Sequence, residues 1–196
     1  EFFAISNGKN GVIEVFQLQE ANNTITGKLT QEFKVESQPE GMATIDNEDI
    51  LYVGVEEKHI QVFGLGKSTH SAILPKTSSA NNPFIAYDIE GLAQFEYGDK
   101  RYLIASIQGS FTYAIYDITT LGEEIYLTSF RLSKNEAGID GVEETDGLEV
   151  LAKPLGTNYP EGILVVQDGF NYDGQTLQNQ NFKLIDLRKV LEILPN

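Results

Sequence analysis

An all-β fold is predicted by three features of this 196-residue sequence. Short runs rich in Val, Ile, Tyr, Phe and Thr, bounded by Gly, Asn, Asp and Pro, dominate the chain, and helical periodicity is scarce. A pair of apolar runs joined by a short polar link recurs: Phe2–Ser6 with Gly11–Leu18, Ile50–Val55 with His59–Leu65, Arg101–Ile107 with Phe111–Ile118, and Gly162–Gln167 with Asn181–Leu187. Equivalent points such as Phe3, Tyr52 and Leu103 lie about 50 residues apart. An acidic-Gly-apolar start precedes three of the pairs, at Glu40-Gly41-Met42, Glu90-Gly91-Leu92 and Asp146-Gly147-Leu148. A period of ~40–50 residues with four short strands per unit is the signature of β-propeller blades.

Residues 1–36 read as a partial blade of three strands that lacks its innermost one. Residues 37–80 read as a complete antiparallel blade, with strands over Gly41–Ile45, Leu51–Val55, His59–Gly64 and His70–Leu74. Residues 88–133 read as a second, with strands over Leu92–Tyr97, Tyr102–Ile107, Thr112–Ile118 and Ile125–Leu132. In the last of these, Tyr126, Thr128, Phe130 and Leu132 alternate as in an outer strand with one buried face. Residues 145–196 read as a partial blade lacking its outermost strand, followed by a short helix. Leu187, Val190, Leu191 and Leu194 give that helix its apolar spacing and Asp186 its N-cap. No linker or low-complexity stretch interrupts the series, so one structural unit is expected. About three and a half blades cannot close a ring, and both ends would leave strand edges unpaired. The expectation is a piece of a larger propeller, with two copies closing a ring as the alternative. Glu1-Phe2-Phe3-Ala4-Ile5 already reads as a strand, so the natural N-terminus is expected elsewhere and the missing leader carries no weight.

Composition excludes several classes of function. The chain has no Cys, which removes disulfides, thiolate zinc sites and a cysteine nucleophile. It carries 29 acidic against 14 basic residues, a formal charge of −15, and such a surface repels nucleic acid and anionic lipid. Neither is expected as a partner, and no apolar run is long enough to span a membrane as a helix. The only two histidines, His59 and His70, read as surface residues at a strand start and in a polar link. There is no HExxH, GxSxG or Walker loop. A hydrolase built from this chain would need water activated by a metal.

The acidic starts offer a place for one. First strands of propeller blades line the central channel, and equivalent ends of successive inner strands converge on one rim. Glu40, Asp88, Glu90 and Asp146 occupy such positions. Asp88 and Glu90 are two residues apart, which directs both side chains to one face of a strand. Carboxylates without His or Cys favour a hard cation, Ca²⁺ above Zn²⁺. The competing interpretation is turn chemistry, in which Asp and Glu beside Gly simply start strands.

These residues lie in motifs that resemble the β-propeller, or alkaline, phytases across essentially the whole chain. Asp88-Ile89-Glu90-Gly91-Leu92 resembles the family's DIEGL, and Leu103–Gly109 followed by Tyr113–Asp117 resembles its LxASSQG and YAIYD. Thr145-Asp146-Gly147, Tyr159–Gly162, Val166–Gly169 and Asn179–Lys183 are similar to DTDG, YPxG, QDG and NQNFK, and Gln38–Met42 to QTEGM. The resemblance implies the C-terminal half of a six-bladed propeller with calcium at one end of its channel. It implies hydrolysis of phytate, myo-inositol hexakisphosphate, by attack of calcium-activated water on phosphorus, and a secreted or periplasmic location.

By motif, Glu40, Asp88, Glu90, Gln108 and Asp146 are similar to ligands of active-site calcium, the four carboxylates among them being the catalytic set. Glu56 falls at a further acidic ligand, in Gly54-Val55-Glu56-Glu57 where the family has AEED. Lys9 resembles a lysine that contacts substrate phosphate. Asp140 with the Gly141 carbonyl, and Asp168 with Asn171, match a structural calcium site. The family's QDGEN has an acid where this chain has Phe170, so that site is expected to be weakened or empty. The family's N-terminal half, with further acidic ligands and phosphate contacts, has no counterpart here, and the chain alone is expected to be inactive. An accessory half-propeller that binds calcium and phytate is the alternative.

Overall fold

The computed structural model describes residues 2–66 and 70–195; the outer limits of the first and last units, Glu1 and Asn196, lie outside the described residues. Four antiparallel sheets follow one another along the chain, as the repeat predicts. The first holds β1 (Phe2–Asn7), β2 (Val12–Ala21) and β3 (Thr24–Lys34) in that order. The second holds β4 (Pro39–Ile45), β5 (Ile50–Val55), β6 (His59–Gly64) and β7 (Ser71–Ile73). The third holds β8 (Ile89–Tyr97), β9 (Lys100–Ile107), β10 (Thr112–Asp117) and β11 (Ile125–Phe130). The fourth holds β12 (Leu148–Leu151), β13 (Ile163–Asp168) and β16 (Asn181–Asp186), with a two-stranded excursion, β14 (Tyr172–Asp173) and β15 (Thr176–Leu177), before β16. The excursion carries too few apolar residues to be read as strands from sequence.

Alternation sorts the side chains into the spaces between sheets. In β5, Ile50 and Tyr52 pack toward the third sheet, while Leu51, Val53 and Val55 pack toward the first. In β9, Leu103, Ala105 and Ile107 join the core between the second and third sheets, and Tyr102 and Ile104 the core between the third and fourth. Both faces of the middle sheets are therefore apolar, and each core is shared by two neighbouring sheets. Tyr113 stacks on Phe130 at 5.2 Å between ring centroids, and Phe33 stacks on Phe63 at 4.5 Å across the first two sheets. The end sheets bury one face only. Phe2 and Phe3 at one end, and Phe182 and Leu184 at the other, are half or more exposed.

The helix, α1 (Leu187–Leu191), starts where expected: Asp186 Oδ1 accepts the Arg188 amide at 3.1 Å. Its Leu187 and Val190 are buried against the fourth sheet. The turn between β2 and β3 is the two-residue Asn22-Asn23, both left-handed (φ 52° and 60°), as the twist of a tight hairpin requires.

Two inner strands start earlier than the expected Gly41 and Leu92. β4 begins at Pro39 and β8 at Ile89, and each then bulges. Pro39 pairs with Val55 and regular pairing resumes at Met42; Ile89 pairs with Ile107 and resumes at Leu92. The acidic-Gly dipeptides Glu40-Gly41 and Glu90-Gly91 are these bulges.

Candidate metal centre

The repeated bulge builds the site. A bulge leaves its residues out of the ladder and re-aims their side chains. In β4 and β8 it does so at the same end, and the two strands lie side by side. Glycine follows each acid because the neighbouring strand passes too close for a side chain. A Cβ on Gly41 would lie 2.0 Å from the Glu90 carbonyl oxygen. One on Gly91 would lie 3.0 Å from both the Asp146 carbonyl oxygen and the Leu148 amide nitrogen. Glu40, Glu90 and Asp146 with their glycines, and Leu92 and Leu148, line one open cleft of about 600 Å³.

Glu56 completes the group from the second sheet. It opens the turn between β5 and β6, whose left-handed residue is Glu57 (φ 60°), and its amide donates to the Gln38 carbonyl at 2.9 Å. One carboxylate oxygen each from Glu40, Glu56 and Glu90 lies within 4.8 Å of the others. Asp88 and Asp146 are not part of that closest set. Asp88 sits one residue before β8 and Glu90 lies in the bulge after Ile89, with Asp88 near enough for its charge to act on Glu90. Asp146 stands on the cleft wall, where Gln108 Nε2 donates to its Oδ1 at 2.6 Å and its amide donates to Gln167 Oε1 at 2.8 Å. Gln38, absent from the expected ligands, donates through Nε2 to Glu40 Oε1, and Asn7 Nδ2 donates to the Pro39 carbonyl at 2.6 Å. Their signal in the sequence is a polar amide two residues before an acid, or at the end of a strand in the preceding unit, which is too common to stand out.

The electrostatics follow from this crowding. Glu90 is only 9% exposed, and its carboxyl is pushed up to about 8, first by burial and then by Glu40, Glu56, Asp146 and Asp88. Burial, followed by Glu57 and Glu40, raises Asp88. Burial, followed by Asp88, Glu40 and Glu57, raises Glu56, while Lys9 works in the opposite direction. Lys9 is exposed in the turn between β1 and β2, near enough to act on Glu56. All side-chain donors around the cleft are oxygens, the negative charges crowd one another, and no ammonium or guanidinium bonds to Glu40, Glu56 or Glu90 among the described residues. A hard divalent cation fits this set.

The second expected calcium site does not. Asp140, Asp168 and Asn171 do converge, but around Lys183. Its Nζ donates to Asp140 Oδ1 at 2.5 Å, Asp168 Oδ2 at 2.8 Å and Asn171 Oδ1 at 3.2 Å. Gly141 packs against the loop, where a Cβ would lie 2.8 Å from the Leu132 carbonyl oxygen. Phe170 is 42% exposed and contributes no oxygen ligand from its side chain.

A model of the Phytase family matches residues 1–196. The chain is also 35% identical over 197 residues to a 3-phytase of Bacillus subtilis (strain 168), a match that covers 98% of this chain and 50% of that protein. The chain thus spans about half the length of this curated relative.

Proposed function

The chain belongs to the β-propeller phytase family, and from that premise we propose that it supplies the calcium-binding rim of a phosphomonoester hydrolase acting on phytate. The observation that carries the proposal is the convergence of Glu40, Glu56 and Glu90 on one rim beside Lys9. Glu40, Glu56 and Glu90 hold the cation, and Asp88, Asp146 and Gln108 flank it. A calcium ion held there would supply positive charge for a phosphate group and would lower the pKa of a water.

The chain's own groups do the rest. Gln108 donates to Asp146 and Gln38 to Glu40, which orients these two carboxylates on the rim. Lys9, in the turn between β1 and β2, would donate charge-assisted hydrogen bonds to a phosphate oxygen. Burial and the neighbouring carboxylates disfavour the ionised form of Glu90, so a cation held beside it would favour its ionisation. The same reading makes this an exported protein, secreted or periplasmic.

The test is release of inorganic phosphate from phytate by the full-length protein that carries this chain, with calcium titrated against a chelator. Release that needs calcium and stops with the chelator is the expected result. No release at any calcium level overturns the proposal. A second reading, an accessory module, draws on the half-length match: calcium-dependent phytate binding without turnover would favour it.

A further inference from the structure

We infer that the cluster of Asp140, Asp168 and Asn171 is a lysine-centred staple that holds no calcium, the ammonium of Lys183 filling its centre. The inference is independent of what the rim does.

An ammonium has three donors, and all three of Lys183 are used, each on a different segment of chain. The oxygens it leaves are taken too. Asp140 Oδ2 accepts the Tyr172 amide at 2.6 Å, and Asp168 Oδ1 accepts the Glu143 amide at 3.1 Å. Asn171 turns its Nδ2 away to the Asn179 carbonyl at 2.8 Å. Asp168 is fully buried, and the Lys183 side chain is 11% exposed. Calcium asks for six to eight oxygens in a flexible shell. Here every carboxylate oxygen already has a fixed donor, and the position that would add an acid is Phe170.

The staple ties together the connection between the third and fourth sheets (through Asp140), the end of β13 (Asp168), the approach to the β14–β15 excursion (Asn171) and β16 (Lys183). It fastens the connection that leaves the third sheet to the fourth sheet, and needs no ion to do so.

Calcium bound per chain, measured by equilibrium dialysis, and thermal unfolding in calcium and in chelator, test it. Asp140→Asn is expected to leave the calcium count unchanged and to lower Tm by about 5 °C, by the same amount in both media. A count lower by one, or a Tm loss seen only in calcium, overturns the inference. Lysine labelling of the unsubstituted protein, read by mass spectrometry, gives a second arm that needs no variant to fold. Lys183 should be equally protected with calcium and with chelator. Faster labelling in calcium would mean that the cation displaces the ammonium, and would equally overturn it.

Discussion

The two carboxylate clusters of this molecule meet the same electrostatic problem in opposite ways. At the rim, Glu40, Glu56 and Glu90 crowd together and Glu90 is driven up to about 8. At the junction of the third and fourth sheets, Asp140 is held below the ordinary carboxylate range; burial works against this, but hydrogen bonds from Lys183 and the Tyr172 amide outweigh it. One cluster is left in deficit of positive charge and is suited to take a cation from solution. The other carries its cation within the chain. Charge density alone does not make a metal site; what separates the two is whether a side-chain ammonium already fills the centre.

The comparison breaks first at Glu90. Glu90→Gln is expected to reduce phosphate release by the full-length protein at saturating calcium by ~100-fold or more, since removing one preorganised charge at a catalytic centre costs about that much. In chelator the same variant should be more stable than the parent at pH 8, because it removes the most strongly destabilised carboxylate. Asp140→Asn should do the reverse, losing stability in either medium. If Glu90→Gln destabilises in chelator, the rim is not in electrostatic deficit.

A smaller effect sharpens the geometric side. Gly41→Ala would press a methyl group onto the Glu90 carbonyl, and overpacking against backbone costs about 2–3 kcal/mol. It should also shift the Glu90 bulge and weaken calcium binding. Gly147→Ala, at the equivalent position beside the third acid, meets nothing within 4 Å in this chain and should change urea stability by less than about 0.5 kcal/mol. Equal losses at both positions would show that glycine is needed there for some reason other than the closeness of the next strand.

Most of the fold is legible in the sequence, because the middle sheets are buried on both faces and their strands, such as Ile50–Val55 and Tyr113–Ile118, are near-continuous apolar runs between polar turns. The acidic-Gly repeat is legible as a pattern but not as a bulge. Period-two reasoning assumes an unbroken ladder, so it starts β4 and β8 late, after the bulges rather than before them. Turn chemistry and metal binding compete as explanations of the sequence pattern, and the structure puts a bulge there: glycine permits the close approach of the next strand, and the acid leaves the regular ladder. The grouping of Glu56 with Glu40 and Glu90 depends on the turn between β5 and β6, and in the sequence only the resemblance of Gly54–Glu57 to a family motif points to it. Lys183 is visible in the sequence only as a letter in a motif. Its place among Asp140, Asp168 and Asn171 is set by the register of β16 on β13, where Asn181 pairs with Asp168. No spacing along the chain announces that.

The contrast between the clusters rests on the rim being unsatisfied without a cation, and thermal unfolding as a function of pH tests this most directly. Glu90 has a folded pKa near 8 against an ordinary value of 4.5, so the folded state binds more protons than the unfolded state between them. Stability should therefore fall as pH rises from about 4.5 to about 8 in chelator, by a few kcal/mol, since each tenfold difference in proton affinity is worth ~1.4 kcal/mol. Saturating calcium should flatten that fall and raise Tm most at the alkaline end. The same slope in calcium as in chelator would contradict the account.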